Sequence, residues 1–202
     1  MSKIPFTGVI KILDEKELWK FEVPNSSIYF RIILRTVEKQ KIDGTMDKPR
    51  KFIVFDRGNS VCALILVRGK PNKFILVRQY RGGSNSYDWE LPAGMRDGNE
   101  DAMKAVQREV MEETGFQGGL IFKSLKLKLS PGAASERSDV FYVETSMEAR
   151  TGKGGGRIEE WEDIEVAFVP VKEAIQMVLR GEITSATAVA AILWYAAEYS
   201  KI

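Results

Sequence analysis

Three glutamates, Glu109, Glu112 and Glu113, close a stretch that has the apolar periodicity of a helix. Ala102, Val106 and Val110 recur at i, i+4 and i+8, joined by Met103 and Ala105, which predicts a helix over residues 100–114 with one buried face. Asp97 or Asn99 can cap its start, Asp101 suits the positive end of its dipole, and Gly115 suits its C′ position. The glutamates stand three and four residues apart, so all three crowd one side. Like charges at that spacing cost roughly 0.2–0.5 kcal/mol per pair. The dipole disfavours anions at a helix C-terminus by about 0.3–1 kcal/mol more. A helix selected for stability alone would carry lysines there. Two readings compete: a solvated face whose repulsion Arg108 and Lys104 offset, or a set of oxygen ligands for a hard cation.

Composition narrows the chemistry. The 202 residues contain no histidine and one cysteine, Cys62. Imidazole acid–base schemes, His-ligated metals, Cys-rich zinc sites and disulfide frameworks are therefore excluded. What remains is carboxylates, arginines, lysines, hydroxyls and hard metal ions. A net charge of +2 advertises neither nucleic-acid nor membrane binding. The first residues lack a signal-peptide pattern, and the uncharged run before Glu198 is too short to span a bilayer, so a cytoplasmic protein is expected.

Strand patterns dominate the N-terminal part, at residues 6–13, 18–23 and 28–37, followed by a polar loop over 38–50. Further strands are expected at 51–55, 61–67, 74–80, 120–129, 140–144 and 164–169, with 81–87 a Gly/Ser-rich loop. Val171, Ala174, Ile175, Val178 and Leu179 mark a second amphipathic helix closed by Gly181, and residues 184–199 a last one. The fold class is α/β, a sheet-rich core with a few helices packed on it.

The glutamates belong to a longer pattern. Gly94 is followed after five residues by Glu100, and after seven more by Arg108-Glu109-Val110-Met111-Glu112-Glu113-Thr114-Gly115-Phe116. This is G-x5-E-x7-R-E-U-x-E-E-x-G-U, with U an apolar residue and all nine constrained positions filled. It resembles the Nudix box of the Nudix hydrolases, and the resemblance favours the cation reading over the solvated face. Upstream, Val77-Arg78-Gln79-Tyr80-Arg81 and Trp89-Glu90-Leu91-Pro92-Ala93-Gly94 resemble the approach to the box in ADP-ribose pyrophosphatases. Downstream, Ser130-Pro131-Gly132 and Ser135-Glu136-Arg137 resemble that group's Pro-Gly loop, with Pro131 sixteen residues after Gly115. Residues 159–164 resemble its acidic loop.

The resemblance implies an α/β/α sandwich around a mixed sheet, with an N-terminal antiparallel β-layer over residues 1–57 and a Nudix domain over 58–202. It implies hydrolysis of a nucleoside diphosphate linked to another group, with two or three Mg²⁺ ions per site, replaceable by Mn²⁺. Glu109, Glu113 and the Ala93 carbonyl match metal ligands, and Glu112 a direct or water-bridged one. Arg108 would hold the carboxylates, and Glu100 would brace the loop. Glu160 matches the general base and Glu162 a metal or substrate contact that shares in catalysis, with Glu159 left open because the register can slip by a residue or two. Gly152, Gly154, Gly155 and Gly156 precede them, so this segment is expected to be mobile.

Arg81, Arg78, Glu136 and Met95 are further substrate-binding candidates, the arginines because a guanidinium fork suits phosphate oxygens. ADP-ribose pyrophosphatases are usually homodimers that exchange their N-terminal layer. Trp19 and Phe30 resemble rings that clasp the adenine, and Arg35 a substrate-contacting arginine, although aromatics in strands are usually core. The reading is ADP-ribose cleaved to AMP and ribose 5-phosphate. GDP-mannose or another nucleotide sugar is the alternative, Ala133-Ala134 being a departure from the Pro-Gly loop. A non-catalytic ADP-ribose sensor is the rival class; such proteins carry an extra DNA-binding region, for which 202 residues leave no room, and often lose box carboxylates that are complete here.

Overall fold

The computed structural model describes residues 8–22, 29–158 and 162–199. The chain divides into two compact units, residues 1–58 with 130–136, and residues 59–129 with 137–202.

The first unit is an antiparallel sheet of β1 (Ile10–Glu22), β2 (Tyr29–Lys39) and β3 (Arg50–Asp56), in that order. Two strands were expected where β1 is one. The polar run between them continues to pair, Asp14 with Thr36, Glu15 with Arg35 and Lys16 with Leu34, while register shifts near Leu13 and Leu18 absorb the irregularity. Every residue of β1 is exposed in this chain, so polar side chains cost nothing there. Residues 130–136, expected in the domain over 58–202, belong instead with this sheet. Phe55 donates its N–H to the Ala133 carbonyl at 2.8 Å, and Ser135 returns one to the Phe55 carbonyl at 3.0 Å. Backbone pairing outweighs proximity along the chain.

The second unit is built on β4 (Ser60–Val67), buried at all of its positions. β4 lies parallel to β9 (Arg137–Thr145) and antiparallel to β5 (Lys73–Arg81) in a mixed sheet whose main order is β10-β5-β4-β9-β8. Here β8 is Leu120–Lys128 and β10 is Glu165–Pro170. Side chains alternate across a strand. Val61, Ala63, Ile65 and Val67 pack with Ala105, Val106, Val110 and Phe116 on one face. Cys62, Leu64 and Leu66 pack with Ala174, Ala188, Ala191 and Ile192 on the other. Helix α1 (Ala102–Thr114) therefore covers one face, and α2 (Val171–Leu179) with α3 (Ala186–Tyr199) the other. This is the α/β/α sandwich around a mixed sheet. Among the described residues no helix is long and apolar enough to cross a membrane.

Two short strands lay unseen in the sequence. β6 (Ser86–Glu90) folds back on β5, with Tyr80 opposite Tyr87, after a turn in which Asn85 takes φ 54°. β7 (Ala93–Met95) pairs with the start of β4 and is too short to show alternation. Asp101 caps α1, rather than Asp97 or Asn99, accepting from the N–H groups of Met103 and Lys104 at 2.9 and 3.2 Å.

Leu64 is fully buried at the centre of the β4 layer. Leu64→Ala should lower the unfolding free energy by about 2–5 kcal/mol in chemical denaturation. A loss under about 1 kcal/mol would show that this side chain is not enclosed between sheet and helices.

Candidate active site

Helix α1 ends with Glu109 at 6% and Glu113 at 1% exposure, which excludes a solvated face for those two. Burial follows from β7, which hydrogen-bonds to core strand β4 and lies against Glu113 and Glu109 through Ala93 and Gly94. Gly94 makes this approach possible, because a Cβ at this position would overlap the Glu109 carboxylate. The Ala93 N–H donates to Glu113 Oε2 at 3.0 Å. Gly115 closes the helix in the left-handed region, φ 75°, with its N–H on the Met111 carbonyl.

Arg108 joins the cluster. Its Nη1 donates to Glu109 at 2.7 Å and reaches Glu112 at 3.4 Å. Nη2 donates to Glu100 and to the Met95 carbonyl, both at 3.1 Å, and Nε to Glu100 at 3.3 Å. Hydrogen bonding from Arg108 holds the Glu100 carboxyl below the usual carboxylate range. Glu109 is pushed up to about 7, by burial first, with Arg108 working against it and Glu112 and Glu162 adding repulsion. Glu113 lies well above its ordinary value, through burial and then the charge of Glu109. Two buried, mutually repelling carboxylates are short of positive charge, and their oxygens are the donors that hard divalent cations take. Among the described residues no three such side chains enclose a common point. Arginines engage the oxygens of Glu109 and Glu112 instead. Chemically, the donor set fits Mg²⁺ or Mn²⁺.

The glycine-rich segment, expected to be mobile, is tied to the end of α1. Thr151 and Gly152 donate N–H groups to the Gly115 carbonyl at 2.8 and 3.0 Å, Gly155 to Glu113 at 2.7 Å and Gly156 to Glu112 at 3.2 Å. A helix leaves its last carbonyls without internal partners, and these donors supply them. Gly154 takes φ 69° against Glu113 and Thr114, where a Cβ would collide with their backbone. The requirement is close approach, not flexibility. The segment delivers Arg157, whose Nη2 donates to both Glu112 oxygens at 3.0 and 2.8 Å. The Arg157 N–H donates to Glu162 Oε2 at 3.1 Å, so Glu162 joins the cluster. Glu159 and Glu160 lie outside the described residues.

The substrate candidates divide. Arg81 is held by Glu90 through Nε at 3.1 Å and Nη2 at 2.6 Å. Burial opposes its charge, but Glu90, with Glu113 and Glu162 adding to it, holds its pKa above the usual arginine value. Arg78, three residues earlier on β5, falls on the opposite face. It sits over the rings of Tyr87 and Trp89 at 5.7 and 5.6 Å and 3.7 Å from Glu165. Met95 contributes the carbonyl that braces Arg108. Trp19, Phe30, Arg35 and Glu136 belong to the first unit. There Trp19 is 51% exposed and stacks on Phe21, so it is not core; Phe30 stacks on Phe55. Arg35 pairs with Glu15, and Glu136 with Arg57 at 3.0 Å. Arg157 and Glu90 went unassigned from sequence. Glu90 lay inside a quoted motif, whereas a lone arginine after glycines carries no signal of its own.

The raised carboxyls give a pH signature. Between the ordinary value of 4.5 and about 7, folded Glu109 keeps its proton while the unfolded chain loses it. The folded state then binds more protons, so stability falls as pH rises through that window. In chelator-treated protein, Glu109→Gln should reduce the fall in unfolding free energy between about pH 5 and about pH 8. An identical slope in the variant would show that Glu109 titrates normally.

Residues 56–191 match the NUDIX domain. The chain is also 33% identical over 164 residues to GDP-mannose pyrophosphatases of Shigella flexneri, Escherichia coli and Shigella boydii, covering 78% of this chain and 83% of theirs. With the box glutamates gathered at the end of α1 under β7, the matches establish that this chain belongs to the Nudix family, whose hydrolases generally use divalent metal ions.

Proposed function

We propose that the chain hydrolyses the pyrophosphate bond of nucleoside diphosphate sugars, with ADP-ribose giving AMP and ribose 5-phosphate. The observation that carries this is the burial of Glu109 and Glu113 side by side with too little positive charge. The resemblance around Pro131 favours ADP-ribose. The similarity to GDP-mannose pyrophosphatases favours GDP-mannose as the second reading.

Glu109, Glu113, Glu112 and the Ala93 carbonyl would hold the divalent cations. When bound, those cations activate water and neutralise charge on the pyrophosphate oxygens. Glu160 accepts a proton as water attacks one phosphorus, with Glu159 or Glu162 the other carboxylates in reach of that role by sequence. The P–O bond to the leaving phosphate breaks, and its oxygen keeps the electron pair. Arg81 contacts the phosphates, with Glu90 fixing its guanidinium plane. Arg108 keeps the carboxylates apart and oriented.

The first unit supplies the base-binding surface and a homodimer contact in this reading. Exposed Ile10, Ile12, Leu18, Trp19, Phe21 and Ile53 support the contact, being a large apolar content for a free three-stranded sheet.

Purified protein with Mg²⁺ should be offered ADP-ribose, GDP-mannose, UDP-glucose, NADH and 8-oxo-dGTP. The highest kcat/KM is expected for ADP-ribose. Preference for GDP-mannose would keep the chemistry and change the substrate. No turnover, with tight ADP-ribose binding, would support a sensor. Glu113→Gln should lose on the order of 100-fold or more in turnover while staying folded, as loss of a ligand exceeds loss of its support. Wild-type turnover by that variant would remove Glu113 from the site. Trp19→Ala should raise KM more than it lowers kcat, because a ring that clasps the base binds ground and transition states alike. Unchanged kinetics would take Trp19 out of substrate binding.

A further inference from the structure

Arg157 is the cation that reaches the glutamate helix from a distant part of the sequence. Its Nη2 lies on both oxygens of Glu112, at 3.0 and 2.8 Å. Its backbone is tied to Glu162 in both directions: the Arg157 N–H donates to Glu162 Oε2, and the Glu162 N–H to the Arg157 carbonyl, each at 3.1 Å. One residue thus joins a box carboxylate to the acidic segment. The preceding Gly155 and Gly156 are fixed on the Glu113 and Glu112 carbonyls, so the arrangement has a firm base.

A guanidinium and a divalent cation compete for the same carboxylate oxygens. The Arg157 and Glu112 side chains keep 37% and 26% of their exposure, so an ion from solvent can reach the pair. Arg108 is a weaker competitor at Glu112, which it touches only at 3.4 Å. We infer that Arg157 is a positioning residue: its guanidinium orients the Glu112 carboxylate and competes for its oxygens with a divalent cation, which displaces it on binding. The inference rests on the cation-dependent reading of the site given above.

The test is Mn²⁺ binding to the full chain without substrate, followed through the electron paramagnetic resonance signal of free Mn²⁺. Arg157→Ala and Arg157→Gln should bind Mn²⁺ about two- to five-fold more tightly than wild type, the scale of competition from one partly exposed ion pair. Structural damage would move affinity the other way. Unchanged or weaker binding by either variant, with wild-type circular dichroism, overturns the inference. Glu113→Gln separates the two layers of argument. If it weakens Mn²⁺ binding while the Arg157 variants match wild type, only the role of Arg157 fails. If it also matches wild type, the cation site itself fails, and the inference with it.

Discussion

Burial of two carboxylates at the negative end of a helix is the constraint around which the second unit is arranged. Glu109 and Glu113 lose hydration, repel each other and oppose the α1 dipole. Each neighbouring feature answers part of that cost. The Ala93 N–H bonds Glu113, Arg108 bonds Glu109, and residues 151–156 donate to the final helix carbonyls. That last contribution also tempers the dipole, because its partial negative charge resides on those carbonyls. What is left over is an electrostatic deficit that a hard cation can fill, and this connects the packing to hydrolysis.

The deficit persists only if the carboxylates cannot swing into water, and here β4 matters. Its alternating side chains fasten α1 to one face of the sheet and α2 and α3 to the other. Its first residues also pair with β7. Helix and overlying strand are therefore both referenced to one buried strand. Gly94 leaves no room for a Cβ beside the Glu109 carboxylate, so strand and carboxylate lie in close contact. Preorganisation of the carboxylates thus begins in apolar packing some distance from them.

Legibility in the sequence followed the density of chemical constraint. The box could be read because the turn glycine, the carboxylates and the arginine beside them fall at fixed intervals in one short stretch of sequence. Strand and helix periods indicated a sheet-rich α/β core, and the resemblance implied the sandwich. Burial of Glu109 and Glu113 could not be read, because a glutamate on a helix is ordinarily exposed and the covering strand is three residues long. The cap was misjudged because Asp97, Asn99 and Asp101 are all competent, and only the backbone turn selects Asp101. Gly152, Gly154, Gly155 and Gly156 suggested freedom, whereas all four are used for contact with the helix end. Ala133 and Ser135, in the loop that Pro131 opens, pair with Phe55 of β3, a long-range choice with no local signature.

The choice of arginine over lysine at the two supporting positions has a geometric reason. Arg108 bonds Glu100, Glu109 and the Met95 carbonyl at once and still touches Glu112. Such a spread needs several donors in a rigid plane, which an ammonium group does not offer. Arg157 uses the same property differently, placing one nitrogen between both oxygens of Glu112 while its backbone serves Glu162. Arg108 is embedded among its partners and acts as a permanent strut. Arg157 stands nearer to solvent, with its side chain 37% exposed against 25% for Arg108, so its hold on Glu112 is the one an incoming cation reaches first. The site thereby separates fixed positive charge, which shapes the ligand set, from exchangeable positive charge, which occupies it.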